Sequence, residues 1–526
     1  MVIALANPCG LCDNICMKTA ELLRCAAACC AVAVASAAFA EVIPGAPFSD
    51  GAVLQRGMKV PVWGEVTPPV SKMLRLVRVE FAGQKKTVEV GKDGVWRVDL
   101  DPMEASSESR TMTISELEPG FFFDSVVESV EVKDVLVGEV WFASGQSNME
   151  CPIWGPAPRY RDGNGALMVQ KTHKPLVRFA KNDRNWSLEP EKLKAVWRRF
   201  EPESFNAGQP RTLSAVAFYY ALELHDALGV PVGIVDSSWG GSTIGAWIPR
   251  DELARWPELE RLAAYKVCRK EEWKKDPALP KIWCAAMQPG VLFDGMVAAY
   301  APMAMRGMIW YQGEGNSGDG EIYAVKMHAL CDGWSRRFEN PGMKLYFCGF
   351  APHNGTTWFN DVRAQAKFAA EEPRAAISYL SDAGNPDDIH PNDKRVPAMR
   401  LALHALKRDY GFDVKDEPPT FESAKVEGDV VSIAFKDASD IYIYNRDNTL
   451  YSGFELAGED GKFAKAEILN ARKDGGYLGV IGGNVLKLRA DGVAAPREVR
   501  YLANPPVKGA IYNEVNLPLG AFQSDL

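Results

Sequence analysis

Residues Val135–Glu150 read VLVGEVWFASGQSNME. A run of β-branched and aromatic residues ends at Phe142, gives way to Ala143, Ser144 and Gly145, and then presents Gln146, Ser147, Asn148 and Met149. That pattern is a buried strand followed by a sharp turn carrying one hydroxyl. In an open α/β sheet, ligands bind at the carboxyl ends of the strands, which makes Ser147 the candidate nucleophile. A serine at a strand end is equally an ordinary turn or N-cap residue, so its assignment depends on the rest of the chain.

Downstream, strands and helices alternate. Val177–Ala180 and Val230–Asp236 read as strands, Ser214–Leu228 as an amphipathic helix, and Lys344–Phe350 and Ala375–Leu380 as further strands. Alternation of this kind implies a parallel sheet with helices on its faces. The strand ending at Asp236 runs into Ser237, Ser238, Trp239, Gly240 and Gly241, and paired glycines let backbone N–H groups approach a ligand closely, as an anion hole requires. They also suit a plain tight turn. A third buried strand opens Arg306–Ser317, RGMIWYQGEGNS, and Gly313, Gly315 and Gly318 satisfy G-x-G-x-x-G ahead of a predicted helix Glu321–Phe338. This is the setting of a dinucleotide fingerprint. Glu314 would, however, set a carboxylate against the pyrophosphate, and the strand Lys344–Phe350 does not end in an acid, so the nucleotide reading is disfavoured.

The chain has six histidines. His225, His328 and His404 fall in amphipathic helical patterns, and His173 and His353 in loops. His390 lies in SDAGNPDDIHPNDKR, between the strand Ala375–Leu380 and a helix beginning near Arg395, at another strand's carboxyl end. Asp387 precedes it by three residues, giving D-x-x-H-P; Asp388 is an adjacent contender, and a backbone carbonyl would serve as well to orient the ring.

The run GQSN is not the nucleophile elbow of the α/β-hydrolases, because GxSxG needs glycine where Met149 stands. Together with the Gly240–Gly241 turn, WYQGEGN and DDIHP, it resembles the four blocks of the SGNH hydrolases, in the branch that contains the sialate O-acetylesterases. The likeness runs from about Glu41 to the C terminus, including VRYLANPP at Val499–Pro506. It implies an α/β fold with a flavodoxin-like catalytic domain around a parallel sheet, flanked by N- and C-terminal β-rich domains. It also implies Ser147 as nucleophile, His390 as base and Asp387 as the orienting acid. The oxyanion hole would comprise the backbone N–H groups of Ser147 and Gly241 with the side-chain amide of Gln312 or Asn316, and no cofactor would be needed. General SGNH proteins carry the glycine two residues before the asparagine, whereas here Gly313 precedes Asn316 by three.

The remaining chain divides accordingly. Residues 1–40 read as a signal peptide: Lys18 and Arg24 precede an apolar run, Cys25–Ala40, that closes on Ala38-Phe39-Ala40, with Met17 as an alternative start. Residues 41–132 carry short alternating strands and form a β-sandwich-like unit, 133–411 the catalytic domain, and 412–526 a β-rich tail. A length of 526 residues, 47% hydrophobic and 24% charged, fits a soluble multidomain protein. A net charge of −8 gives no electrostatic reason to expect nucleic acid. Of eleven cysteines, six lie in the presumed leader, which leaves Cys151, Cys268, Cys284, Cys331 and Cys348 for at most two disulfides. None has metal-ligand spacing, so no metal is expected.

The expected product is a periplasmic or secreted carbohydrate esterase, without a membrane anchor once the leader is cleaved, acting on O-acetylated sialic acids. Acetylated xylan is an alternative substrate, and a non-catalytic glycan-binding protein an alternative role. A sialic acid carries a carboxylate, which calls for a guanidinium. Arg363, in WFNDVRAQAKF after the strand Lys344–Phe350, is the candidate; the competing view makes it a surface arginine paired with Asp361 or Glu371.

Overall fold

In a computed structural model of the chain, residues 41–67, 74–154, 162–206, 212–267, 285–354, 357–385, 387–445, 453–474, 477–503 and 509–526 are described. The expected signal peptide lies outside them, as do Cys268 and Cys284.

Eight strands come first: β1 (Glu41–Pro44), β2 (Val53–Gln55), β3 (Val60–Thr67), β4 (Leu76–Phe81), β5 (Gln84–Glu89), β6 (Val95–Leu100), β7 (Ser106–Glu118) and β8 (Ser125–Gly145). β8 decides the architecture. Its first part pairs antiparallel with β7, and its second part lies in a parallel sheet between β11 (Val232–Ser238) and β12 (Gly307–Tyr311). From Val135 to Gly145 every residue of β8 is buried, as a strand covered on both faces requires. With β9 (Lys174–Lys181), β10 (Trp197–Phe200), β13 (Lys344–Cys348) and β14 (Ala375–Ser378), the order is β10-β9-β11-β8-β12-β13-β14, and only the β10–β9 pair is antiparallel.

Alternation along β8 sorts its side chains between two cores. Val140 and Phe142 join a cluster with Leu330 and Trp334 of α3 (Glu321–Arg337) and Phe368 of α4 (Trp358–Glu371), whereas Trp141 and Ala143 join one with Leu224 of α2 (Ala215–Leu228) and Leu401 of α5 (Arg395–Arg408). Helix α2 starts where Ser214 caps it, accepting from the Ala217 N–H at 3.2 Å, and stops at Gly229, whose φ of 66° suits glycine.

The expected boundary at 132/133 falls inside β8, without a break. Val62, Trp96 and Ile114 of the N-terminal strands share one cluster with Phe142, so this region and the parallel sheet are joined by a strand and a core. The C-terminal region, Thr420–Asp525, forms a seven-stranded and a four-stranded sheet around a third cluster, into which Phe350, Trp358 and Val362 of the α/β region also pack.

Candidate active site

Of the four strands whose carboxyl ends carry the motifs, β11, β8 and β12 lie side by side and β14 follows beyond β13, so segments far apart in sequence meet in one cleft. Gly145 ends β8 at a φ of 144°, and a Cβ there would stand 2.2 Å from the Tyr311 carbonyl oxygen of β12. Only glycine lets the turn begin that close to its neighbour. Residues Ser147–Glu150 then form one helical turn, α1, and Ser147 Oγ lies 2.9 Å from His390 Nε2. The two residues, 243 apart in sequence, are within hydrogen-bond distance.

Burial and the neighbouring ammonium of Lys394 hold the His390 imidazole below its usual pKa, with Asp388 opposing and His353 adding to the depression. A depressed value keeps the ring neutral and able to accept a proton near neutrality. Asp387 does not take the expected place. Its exposed carboxylate accepts from Asn354 Nδ2 at 3.4 Å, while Asp388 Oδ1 lies 3.8 Å from His390 Nδ1 and accepts the His390 backbone N–H at 2.9 Å. The tight path of the loop turns the nearer residue, not the one three positions back, toward the ring.

The Gly240–Gly241 turn packs directly on the serine. A Cβ on Gly240 would lie 3.3 Å from Ser147 Cβ, and the Gly240 N–H is taken by Glu150 Oε2 at 2.8 Å. Gly241, at a φ of 75°, lines the cleft. The two amides expected at the oxyanion are placed differently. Gln312 Nε2 has three acceptors, Gln146 Oε1, the Ser242 carbonyl and Asn316 Oδ1, at 2.8–3.1 Å, and Asn316 Nδ2 donates to Asp319 at 2.7 Å. Both residues are buried and neither lines the cleft. They brace the loop after β12. Gln146 does the same from the other side, its Oε1 also accepting the N–H groups of Gly313 and Gly315. With the Gly313 and Gly315 N–H groups on Gln146 and that of Gly318 on Asp361, the three glycines of this segment offer no N–H cradle for a pyrophosphate. Glu314 sits at the cleft, and burial pushes its carboxyl above its usual pKa.

The cleft, about 660 Å³, is lined by Ser147, His390, Gly241, Glu314 and Arg184 among others, a volume suited to a small ligand. Arg363 is not there: it is exposed on α4, with its guanidinium 5.3 Å from the Phe359 ring, and Asp361 instead binds Ser317, Gly318 and Thr357. The guanidinium in the cleft is that of Arg184. It donates through Nε (2.6 Å) and Nη2 to the nearly buried Glu150 and lies 5.4 Å from the Trp239 ring. Its signal in the sequence was a position three residues past the carboxyl end of β9, the same criterion that picked out Ser147 and His390.

Among the described residues the cysteines Cys151, Cys331 and Cys348 are free thiols, all buried. Burial pushes Cys151, four residues from Ser147, up to about 11, which removes it as a competing nucleophile. No group of three or more His, Cys, Asp or Glu among the described residues could hold a metal.

The chain is similar to known esterases over most of its length. Sialate O-acetylesterase from Rattus norvegicus is 25% identical over 389 residues, covering 66% of this chain and 70% of that protein, and the Homo sapiens enzyme is 26% identical over 377 residues, covering 66% and 67%. The crystal structure of a carbohydrate acetylesterase from Xanthomonas citri superposes with a TM-score of 0.74 at 28% identity, over 92% of this chain and all of that one. The model of the carbohydrate esterases described as sialic acid-specific acetylesterases matches residues 137–399, half the chain, from the middle of β8 into α5 and so across the whole cleft. The protein is therefore a carboxylic ester hydrolase belonging to the sialic acid-specific acetylesterase family.

Proposed function

We infer that this esterase is exported and removes O-acetyl groups from O-acetylated sialic acids through an acetyl-serine intermediate. The observation that carries the mechanism is the 2.9 Å approach of Ser147 Oγ to His390 Nε2 beside Gly241. Ser147 Oγ attacks the acetyl carbonyl carbon as His390 Nε2 takes its proton, and the backbone N–H groups of Ser147 and Gly241 receive the oxyanion. The C–O bond to the sugar breaks, and His390 returns the proton to the departing hydroxyl. Water then attacks the acetyl-serine with His390 again as base, and acetate leaves. Asp388 steadies the imidazolium.

The strand order β11-β8-β12-β13-β14 supports a flavodoxin-like core, being 2-1-3-4-5 when those strands are counted along the chain. The division into regions 41–132, 133–411 and 412–526 is retained with β8 shared between the first two. Export to the periplasm or medium rests on the leader pattern of residues 1–40 alone.

Arg184 supports a sialate substrate, because a guanidinium has five N–H donors and only part of its fork is used by Glu150. That same pairing favours a second reading, a neutral acetylated glycan such as xylan, since Glu150 already offsets the charge. Comparing acetate release from O-acetylated sialic acids and from acetylated xylan decides between them. Release from neither, with no turnover of a chromogenic acetate ester, would leave only glycan binding.

A further inference from the structure

Behind the Ser147–His390 pair lies a buried polar chain with no part in the mechanism above. Lys394, 1% exposed at the start of α5, donates from Nζ to Asn148 Oδ1 at 2.6 Å and lies 5.4 Å from the centre of the Tyr311 ring. Asn148, wholly buried, donates from Nδ2 to Glu314 Oε1 at 2.6 Å and to the Ile389 carbonyl at 3.0 Å. One side chain thus touches three segments: α5, the loop after β12, and the residue immediately before His390. Its own backbone is bonded to Ser147.

We propose that Asn148 is the positioning residue that holds His390 against Ser147, and that Lys394 dictates which way its amide faces. Burial lowers the Lys394 pKa, but Nζ stands 2.6 Å from Asn148 Oδ1 as a donor, and in its ammonium form it can only donate, so the atom of Asn148 facing it is the oxygen. The nitrogen is then turned toward two acceptors, and both of its hydrogens are used. Turned the other way, the amide would set its NH₂ against the ammonium and its oxygen against the Glu314 carboxyl and the Ile389 carbonyl. The orientation follows from hydrogen-bond chemistry, and every donor and acceptor of the side chain is satisfied only in that sense. Burying Lys394 carries a desolvation cost that points to a function beyond packing, because a buried charge contributes little to stability for its own sake. The Ile389 carbonyl is the point of leverage. His390 sits on a half-exposed loop, and a shift of about 1 Å in a catalytic group is enough to cost roughly 100-fold.

This inference rests on the serine–histidine reading, and the experiment keeps the two apart. Asn148→Asp preserves shape and the contact with Lys394 but places oxygen against Ile389 and Glu314. It is expected to stay folded at a lower melting temperature, since buried acceptors then face one another, with kcat on a chromogenic acetate ester down about 100-fold and KM within about 3-fold. Lys394→Met, which frees the amide to turn, should lose kcat in the same way, and Lys394→Gln, a neutral donor, should recover much of the loss. A folded Asn148→Asp enzyme with wild-type kcat overturns the proposal, and so does a Lys394→Met enzyme with wild-type kcat. If Lys394→Gln is as impaired as Lys394→Met, the charge rather than the amide orientation matters and the proposal fails. Turnover surviving in Ser147→Ala removes the serine reading and this proposal with it. An inactive Ser147→Ala beside a fully active Asn148→Asp removes the proposal alone.

Discussion

The two halves of the site are built differently. Ser147 stands on a turn between adjacent core strands, where backbone approaches backbone so closely that Gly145 admits no side chain and Gly240 nearly touches the serine. His390 stands in the loop between β14 and α5, half-buried, flanked by Asp387 and Asp388 with substantial exposure, and tied back through the Ile389 carbonyl. A nucleophile needs a fixed place relative to the oxyanion donors, which a sheet supplies. The base must keep its proton affinity tunable, and a loop open to solvent on one side and to Lys394 on the other supplies that.

The hardest test of this contrast removes each half. Ser147→Ala and His390→Ala should each lower acetate release by at least ~10³-fold while leaving the melting temperature near wild type, since neither side chain is needed for packing. A Ser147→Ala enzyme that keeps a tenth of its turnover would show that the nucleophile lies elsewhere.

The rigidity of the serine turn is exposed by Gly145→Ala. The new Cβ would meet the Tyr311 carbonyl and the residue would be held at a φ that side chains rarely adopt, so stability should fall by about 3 kcal/mol or more. A melting curve unchanged by this substitution would mean that the turn is far more yielding than its spacing implies.

On the loop side effects should be graded. Asp388→Asn should cost about 10-fold in kcat, well short of what a buried triad aspartate is worth, because the carboxylate is 44% exposed and 3.8 Å from the ring. Asp387→Asn should cost less than 2-fold. If the two losses are equal, or Asp387 is the costlier, the loop is arranged differently during turnover.

Arg184→Lys keeps a cation for Glu150 but loses the planar fork. On the sialate reading it should raise KM for O-acetylated sialic acid about 10-fold and leave a small neutral acetate ester unchanged. Arg363→Ala should alter neither. Loss on both substrates from Arg184→Lys would assign the arginine to bracing Glu150 and the Gly240 turn instead.

The smallest expected effect is in pH. His390 must be neutral to take the proton, and its pKa is lowered, so kcat/KM should hold as pH falls to 6.5 and decline only below it. Asp388→Asn removes a facing carboxylate that raises the value, with Lys394 and His353 still lowering it, and should move the decline to lower pH. A decline centred above 6.5 would contradict the burial of the ring.

Much of this was legible in the chain. Periodicity and glycine placement are local properties, so the core strands, the helices α2, α3 and α5, and the strand ends bearing Ser147, Gly241 and His390 could be read from neighbours in sequence. What the sequence alone could not supply was direction and partnership. Asp387 and Asp388 differ by one position, and which of them faces the ring depends on the loop's backbone path. Gln312 and Asn316 are amides in the right segment, yet Gln312 donates to Gln146 and Ser242 from across the site and Asn316 to Asp319 in its own loop. Arg184 and Glu150 are 34 residues apart, Asn148 and Lys394 246, and only the parallel stacking of strand ends brings each pair within hydrogen-bond reach. Sequence determines which groups the strand ends can offer; tertiary structure decides which of those groups are already committed to one another and which remain to meet a substrate.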